Sequence, residues 1–322
     1  MRRAWLLVLA LCIGQVLLWG LSFGLMYKAP ELDSAEQFVW AFSLENGYWK
    51  HPAMPSWIMH GLLRVFGPSV ALPFLATQTC IVIALALTWR LGCEFMSPQC
   101  SLIAMALTSL VAYHNIGGDA FNHNTALLPF QAATVLLFFL ATRRGALHLW
   151  ALTGLSAGLS MLVKYVALMP IAGLLLYFAF DRRLHHRRPL LGLAVAAGVF
   201  SLVLVPHALW LEATNFCHSD MPRSVAEPMP GLTAGLKSLA DFGFIQGLRL
   251  LPMLLGLAYV LAPRRGVAVQ GAKPALPGRD RLFLWVAALA PLTLTVAFAV
   301  IARTELQSRW GGAADKGADL EG

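Results

Sequence analysis

Residues 181–212 read DRRLHHRRPLLGLAVAAGVFSLVLVPHALWLE. The arginine pairs Arg182-Arg183 and Arg187-Arg188 precede a run, 190–211, that holds no Asp, Glu, Lys or Arg, and Glu212 closes it. A helix rises about 1.5 Å per residue, so this run covers a bilayer core of about 30 Å. It has no polar stripe to turn towards water. Its ends differ in sign, and Lys and Arg gather at the cytoplasmic ends of membrane spans. This stretch therefore gives both a transmembrane helix and its direction.

The same pattern recurs along the chain. Apolar segments run over 4–26, 70–91, 101–113, 125–142, 149–163, 166–180, 190–211, 242–261 and 282–302. They predict an all-α, polytopic membrane protein of about nine transmembrane helices. Only Lys164 and Tyr165 separate the fifth and sixth segments, which form either a tight re-entry or one bent element. Composition agrees: 58% of residues are hydrophobic and 12% are charged, against about 25% charged in a soluble domain. The net charge of +8 does not point to nucleic acid, because the arginines sit at helix ends facing anionic lipid headgroups. Gly20/Gly24 and Gly154/Gly158 have the spacing that permits close helix approach in a membrane.

With the N-terminus in the cytoplasm, nine alternating crossings put Arg143-Arg144, Arg182-Arg183, Arg187-Arg188 and Arg264-Arg265 on one side. Of the acids, only Glu94, Asp181 and Asp280 join them. The opposite side receives Glu31, Asp33, Glu36, Glu45, Asp119, Glu212, Asp220, Glu227 and Asp241. The first segment follows Arg2 and Arg3, is longer than a signal-peptide core and lacks a clear cleavage site, so it reads as a retained signal anchor. The five cysteines form neither a disulfide framework nor a CxxC metal pair. Residues 1–310 are expected to form the membrane-embedded domain, with a long outer loop at 27–69. The tail 311–322, rich in Gly, Ala and Asp, is expected to carry no packed structure.

That first loop is the richest in chemistry. Glu31, Asp33 and Glu36 form an acidic cluster at the membrane surface, followed by Tyr48, Lys50 and His51 among aromatics. A carboxylate can take a proton from a hydroxyl, and Lys50 or His51 can neutralise a phosphate leaving group. Solvated loop charges with an ordinary interfacial aromatic belt would give the same pattern. A second cluster places Asp119 beside His114 and His123. Asp and Asn there also suit a helix cap, with Asn124 a natural candidate. Asp and His are ligand types for a divalent metal, at a spacing that matches no standard site. Lys164 stands between two apolar runs and either snorkels to the interface or points inward as a further phosphate or sugar contact.

At these residues the chain resembles the protein O-mannosyltransferase-like family of polyprenyl-phosphate-sugar-dependent glycosyltransferases, which includes the lipid A aminoarabinose transferase. The resemblance rests on Leu32-Asp33-Ser34-Ala35-Glu36 and on Gly47-Tyr48-Trp49-Lys50-His51-Pro52-Ala53-Met54-Pro55-Ser56-Trp57. It continues through Asp119 ahead of Leu127-Leu128-Pro129-Phe130, the run from Gly154-Leu155 to Lys164, and Pro206-His207-Ala208-Leu209-Trp210. These occur in family order. The resemblance implies a GT-C-like fold and transfer of a sugar from a polyprenyl-phosphate donor to a lipid, glycan or protein acceptor. Transfer would take place on the outer face of a cell inner or plasma membrane.

Asp33 would then be the base, with Glu36 and Asp119 as further catalytic carboxylates. Tyr48, Lys50, His51, His123 and Lys164 would contact substrate. The lipid-phosphate-linked sugar is itself the donor substrate and the resemblance implies no certain cofactor, a divalent metal resting only on the Asp and His ligand types noted above. Ser34 stands where many relatives carry a second carboxylate, and Ala53 where they carry a second proline. The chain also stops soon after Trp310, where relatives continue, and so reads as a C-terminally truncated copy. Two other readings are an inactive truncated transferase and a transporter or flippase for a lipid-linked substrate. A transporter is expected to show internal repeats and midplane charges, whereas here the ionisable residues gather at the outer boundary.

Overall fold

The computed structural model describes residues 2–214, 232–262 and 276–302. Outside them lie the tail 311–322, Cys217, Asp220, Glu227, Arg264, Arg265, Arg303 and Trp310. The described secondary structure is helical. The helices are α1 (Arg3–Met26), α2 (Leu32–Trp40), α3 (Met54–Phe66), α4 (Ala71–Phe95), α5 (Pro98–Ser109), α6 (His123–Arg144), α7 (Leu147–Val163), α8 (Leu168–Phe180), α9 (Arg187–Ala213), α10 (Leu232–Leu261) and α11 (Gly278–Ala302).

All nine apolar segments prove helical, and six of these helices are long and apolar enough to cross a membrane alone. The chain is an integral membrane protein. α5 has 12 residues, about 18 Å of helix, α7 has 17 and α8 has 13, so these three do not match the full thickness of the core. α1 is one rod with a wide π-helical turn at Val16–Leu21.

Between α7 and α8 the chain turns back through a short 3-10 turn, Tyr165–Ala167. Trp150 near the start of α7 touches Phe178 near the end of α8, with ring centroids 6.1 Å apart. The pair is therefore a re-entry and not one bent rod. Glycines set the closest approaches. A Cβ on Gly154 would overlap the Ala196 backbone, and one on Gly158 would meet Val203, so α7 lies directly on α9. Gly20 and Gly24 do the same for α1 against Leu75 and Ala71 of α4. Without a hydrophobic drive between helices in lipid, this small-residue contact is what holds them.

The bundle has two chemically distinct ends. At one, α4, α6, α8 and α11 meet over an aromatic core of Phe95, Phe138, Phe139, Trp150, Tyr177, Phe178 and Phe283. The three acids there are all paired: Glu94 with Arg90 (2.7 Å) and Arg144 (3.6 Å), Asp181 with Arg279 (2.6 Å), and Asp280 with Arg143. α6 ends at Gly145, whose φ of 64° is the left-handed conformation that glycine adopts without strain. Its last two residues, Arg143 and Arg144, favour the negative end of the helix dipole.

At the other end, residues 27–69 fold over the helices. Ala41 and Met59 are buried with Leu72, Phe121, Leu127, Val163 and Ala167. This first loop is therefore packed structure and carries two helices of its own.

Candidate active site

α2 starts where the Glu31 carboxylate accepts the Asp33 backbone N–H at 2.8 Å, an N-cap that fixes the first turn. Asp33 and Glu36 then lie three residues apart, adjacent on the helix surface. Two buried side chains hold α2 in place. The Ser34 hydroxyl accepts the Phe121 N–H at 2.8 Å, and the Gln37 carbonyl accepts the Ser56 hydroxyl at 2.8 Å. Ser34 thus spends its oxygen on the 115–122 loop.

Asn122 performs two tasks. Its Oδ1 accepts the N–H groups of Asn124 (2.9 Å) and Thr125 (3.1 Å), capping α6, while the Thr125 hydroxyl accepts the Asn122 N–H in return. Its Nδ2 donates to Asp33 Oδ2 at 3.3 Å. The cap of α6 is therefore Asn122 and not Asn124, because only residue 122 has the extended backbone a cap requires. Asn124 instead accepts from Lys164 Nζ at 2.7 Å.

Lys164 lies between α7 and α8. Burial draws its ammonium down to about 8, against the pull of Asp33 and with a further push from Lys50. Lys50 also faces Glu36 at 3.4 Å. Burial raises the Glu36 carboxyl above its ordinary range, and Lys50 opposes that rise. Asp119 joins through the loop between α5 and α6. It and Asp33 both act on Tyr113, whose phenol is pushed up chiefly by burial. Asp33, Glu36, Asp119, Lys50 and Lys164 thus gather at one end of the bundle.

The aromatic part of the site is tightly held. Tyr48 stacks on Trp40 with planes 3° apart, and its hydroxyl lies against the carbonyls of Trp40 (2.7 Å) and Ser43. Its role in the structure is to close the loop, with the hydroxyl turned inward. His51 stands ring to ring with the buried His123, centroids 4.0 Å apart, and His123 hydrogen-bonds the Pro52 backbone.

The loop is fastened from the far side by α9. His207 Nδ1 meets the Asn46 carbonyl at 2.6 Å, Tyr165 bonds His207 Nε2 at 2.6 Å, and the Trp210 ring packs against Gly47. Among the described residues no group of three or more His, Cys, Asp or Glu side chains converges as a metal site. His114 bonds the Thr108 carbonyl at 2.8 Å.

Three partners escaped the reading of the sequence. Asn122 carried a visible cap signal, Asn124 gave no sign of pairing with Lys164, and the Pro-His-x-x-Trp residues gave none of their loop contact. The arrangement sets carboxylates beside two ammonium groups, a pairing chemically able to take a proton and to stabilise a phosphate.

The lipopolysaccharide core galacturonosyltransferase RgtA of Rhizobium johnstonii is 26% identical over 296 residues, 87% of this chain and 56% of that protein. The lipid A galacturonosyltransferase RgtD of the same organism is 23% identical over 272 residues, 82% of this chain and 54% of that protein. The chain thus spans about half the length of the curated relatives it matches. The family described as dolichyl-phosphate-mannose-protein mannosyltransferase matches residues 50–210, half of the 322 residues. That stretch begins just after the loop side of the clasp, Asn46 and Gly47, and ends on its other side at Trp210, and the chain belongs to the dolichyl-phosphate-mannose-protein mannosyltransferase family.

Proposed function

We propose that the chain transfers a sugar from a polyprenyl-phosphate carrier to a lipid or glycan acceptor at the outer face of a bacterial inner membrane. In this reading the N-terminus is cytoplasmic, and the sugar is a galacturonic acid, as in the names of the two relatives. The observation that carries the reading is Asp33, oriented by Asn122 and facing the half-buried Lys164.

The acceptor O–H attacks the anomeric carbon, Asp33 takes the hydroxyl proton, and the bond from that carbon to the phosphate oxygen breaks. The carrier leaves as polyprenyl phosphate, whose charge meets Lys164 and Lys50. Glu36 holds Lys50, and Asp119 shapes the field on the far side of Asp33. His51 and His123 offer an aromatic wall on which a sugar ring can lie.

The test is Asp33→Asn in purified protein supplied with polyprenyl-phosphate sugars and a lipid A acceptor. It keeps size and hydrogen bonding and removes the base, so release of polyprenyl phosphate drops by about 10²–10⁴-fold. Undiminished release from Asp33→Asn would end this reading.

A further inference from the structure

Arg249 is the one charged residue in the apolar run 242–261 of α10, and an ionisable side chain at that depth calls for a functional account. α10 packs against α5 and against the turn Ala112–His114, with Gly256 fitted onto Leu107 and Leu110. Gln246 lies three residues before Arg249 and shares its side of the helix.

Across from them is Tyr113, which stands in the field of Arg249, Asp119 and Asp33 together. Tyr113 Oη and Gln246 Nε2 are both buried with no protein hydrogen-bond partner among the described residues. Two shielded donors next to a guanidinium are costly in an empty protein and are accounted for by an anionic, oxygen-rich ligand.

Asp33 is common to two groups of cations: it acts on Lys164, beside Lys50, and on Tyr113, beside Arg249. The lysines are assigned to the phosphate in the function proposed above, and the present inference rests on that reading. A second cation group then answers a second anion on the same donor. A hexuronic acid has one, a planar carboxylate on C5, on the other side of the ring oxygen from its anomeric carbon. A guanidinium meets a carboxylate with two parallel hydrogen bonds. We infer that Tyr113, Gln246 and Arg249 form the seat for the sugar carboxylate, and that Arg249 sets the preference for a uronosyl over a neutral hexosyl donor.

The experiment uses the full chain in lipid nanodiscs with two synthetic donors on the same polyprenyl phosphate, one bearing galacturonic acid and one galactose. Both turnover and equilibrium binding are measured. The native protein is expected to favour the uronosyl donor by roughly tenfold or more, the scale of one charge-assisted hydrogen bond. Arg249→Met erases that preference and leaves galactosyl use within about threefold, and Arg249→Lys retains part of it. Tyr113→Phe, which deletes one hydroxyl, lowers the preference in the same direction and carries the test if Arg249→Met does not fold.

Equal loss of both donors, an unchanged preference, or no preference in the native protein overturns the proposal. If binding discriminates but no donor is turned over, the carboxylate seat stands and the transferase reading fails.

Discussion

Asn122 and Asp33, 89 positions apart in sequence, meet through a hydrogen bond from the Asn122 amide to the Asp33 carboxylate at 3.3 Å. The same asparagine caps α6, so the aim of the carboxylate is tied to the start of a membrane helix. Asn122→Ser keeps a capping oxygen and loses the amide donor. It is expected to lower the turnover number by about tenfold, the worth of one hydrogen bond to a charged group, with thermal stability nearly unchanged. A clearly lowered melting temperature with intact turnover in the folded variant would show that the residue serves the helix alone.

In the function proposed here, Lys164 is expected to make donor use depend on pH. Its ammonium is drawn down to about 8, so it is charged below that pH and neutral above. Affinity for the polyprenyl-phosphate donor is therefore expected to fall as pH rises through about 8. Arginine keeps its charge across this range, so Lys164→Arg moves the alkaline limb upward wherever it still binds donor. A limb that stays in place in Lys164→Arg assigns it to another group.

The contact of Gly47 with Trp210 ties the loop to α9. A Cβ at position 47 would stand 2.5 Å from the indole ring. Gly47→Ala is expected to cost about 1–3 kcal/mol, the usual range for overpacking, and to raise KM for the donor by displacing Lys50 and His51. Thermal unfolding and donor titration of the variant measure both effects.

At the arginine end, Asp181 and Arg279 form a largely buried pair at 2.6 Å that joins α8 to α11. Asp181→Ala leaves a guanidinium without its partner, a change that costs about 3–5 kcal/mol in a buried pair. The melting temperature is expected to fall sharply while the protein that remains folded keeps its donor affinity, since this end is remote from Asp33. Loss of donor affinity at a temperature where the variant is still folded would contradict that separation.

Orientation is tested with reporters. Fusions after Arg144 and after Arg187 are expected to report cytoplasm, and one at Glu45 the opposite side. A cytoplasmic signal at Glu45 overturns the outward-facing site.

The sequence by itself determined the helices, because burying a backbone in lipid leaves a helix as the way to satisfy its amides, and the apolar runs state where those helices lie. It also sorted the charges. Glu94, Asp181 and Asp280, the acids grouped with the arginines by alternation alone, are the ones the structure pairs with Arg90, Arg144, Arg279 and Arg143. Asp33, Glu36 and Lys50 were legible as a cluster because they are close in the chain. Contacts made at long range were not. The bonds of Asn122 to Asp33, Asn124 to Lys164 and His207 to Asn46 span 89, 40 and 161 positions. No periodicity records such pairs, since each depends on how α2, α6, α7 and α9 are placed against one another. The inward turn of the Tyr48 hydroxyl was equally hidden: its partners are carbonyls, and a backbone oxygen has no letter in the sequence.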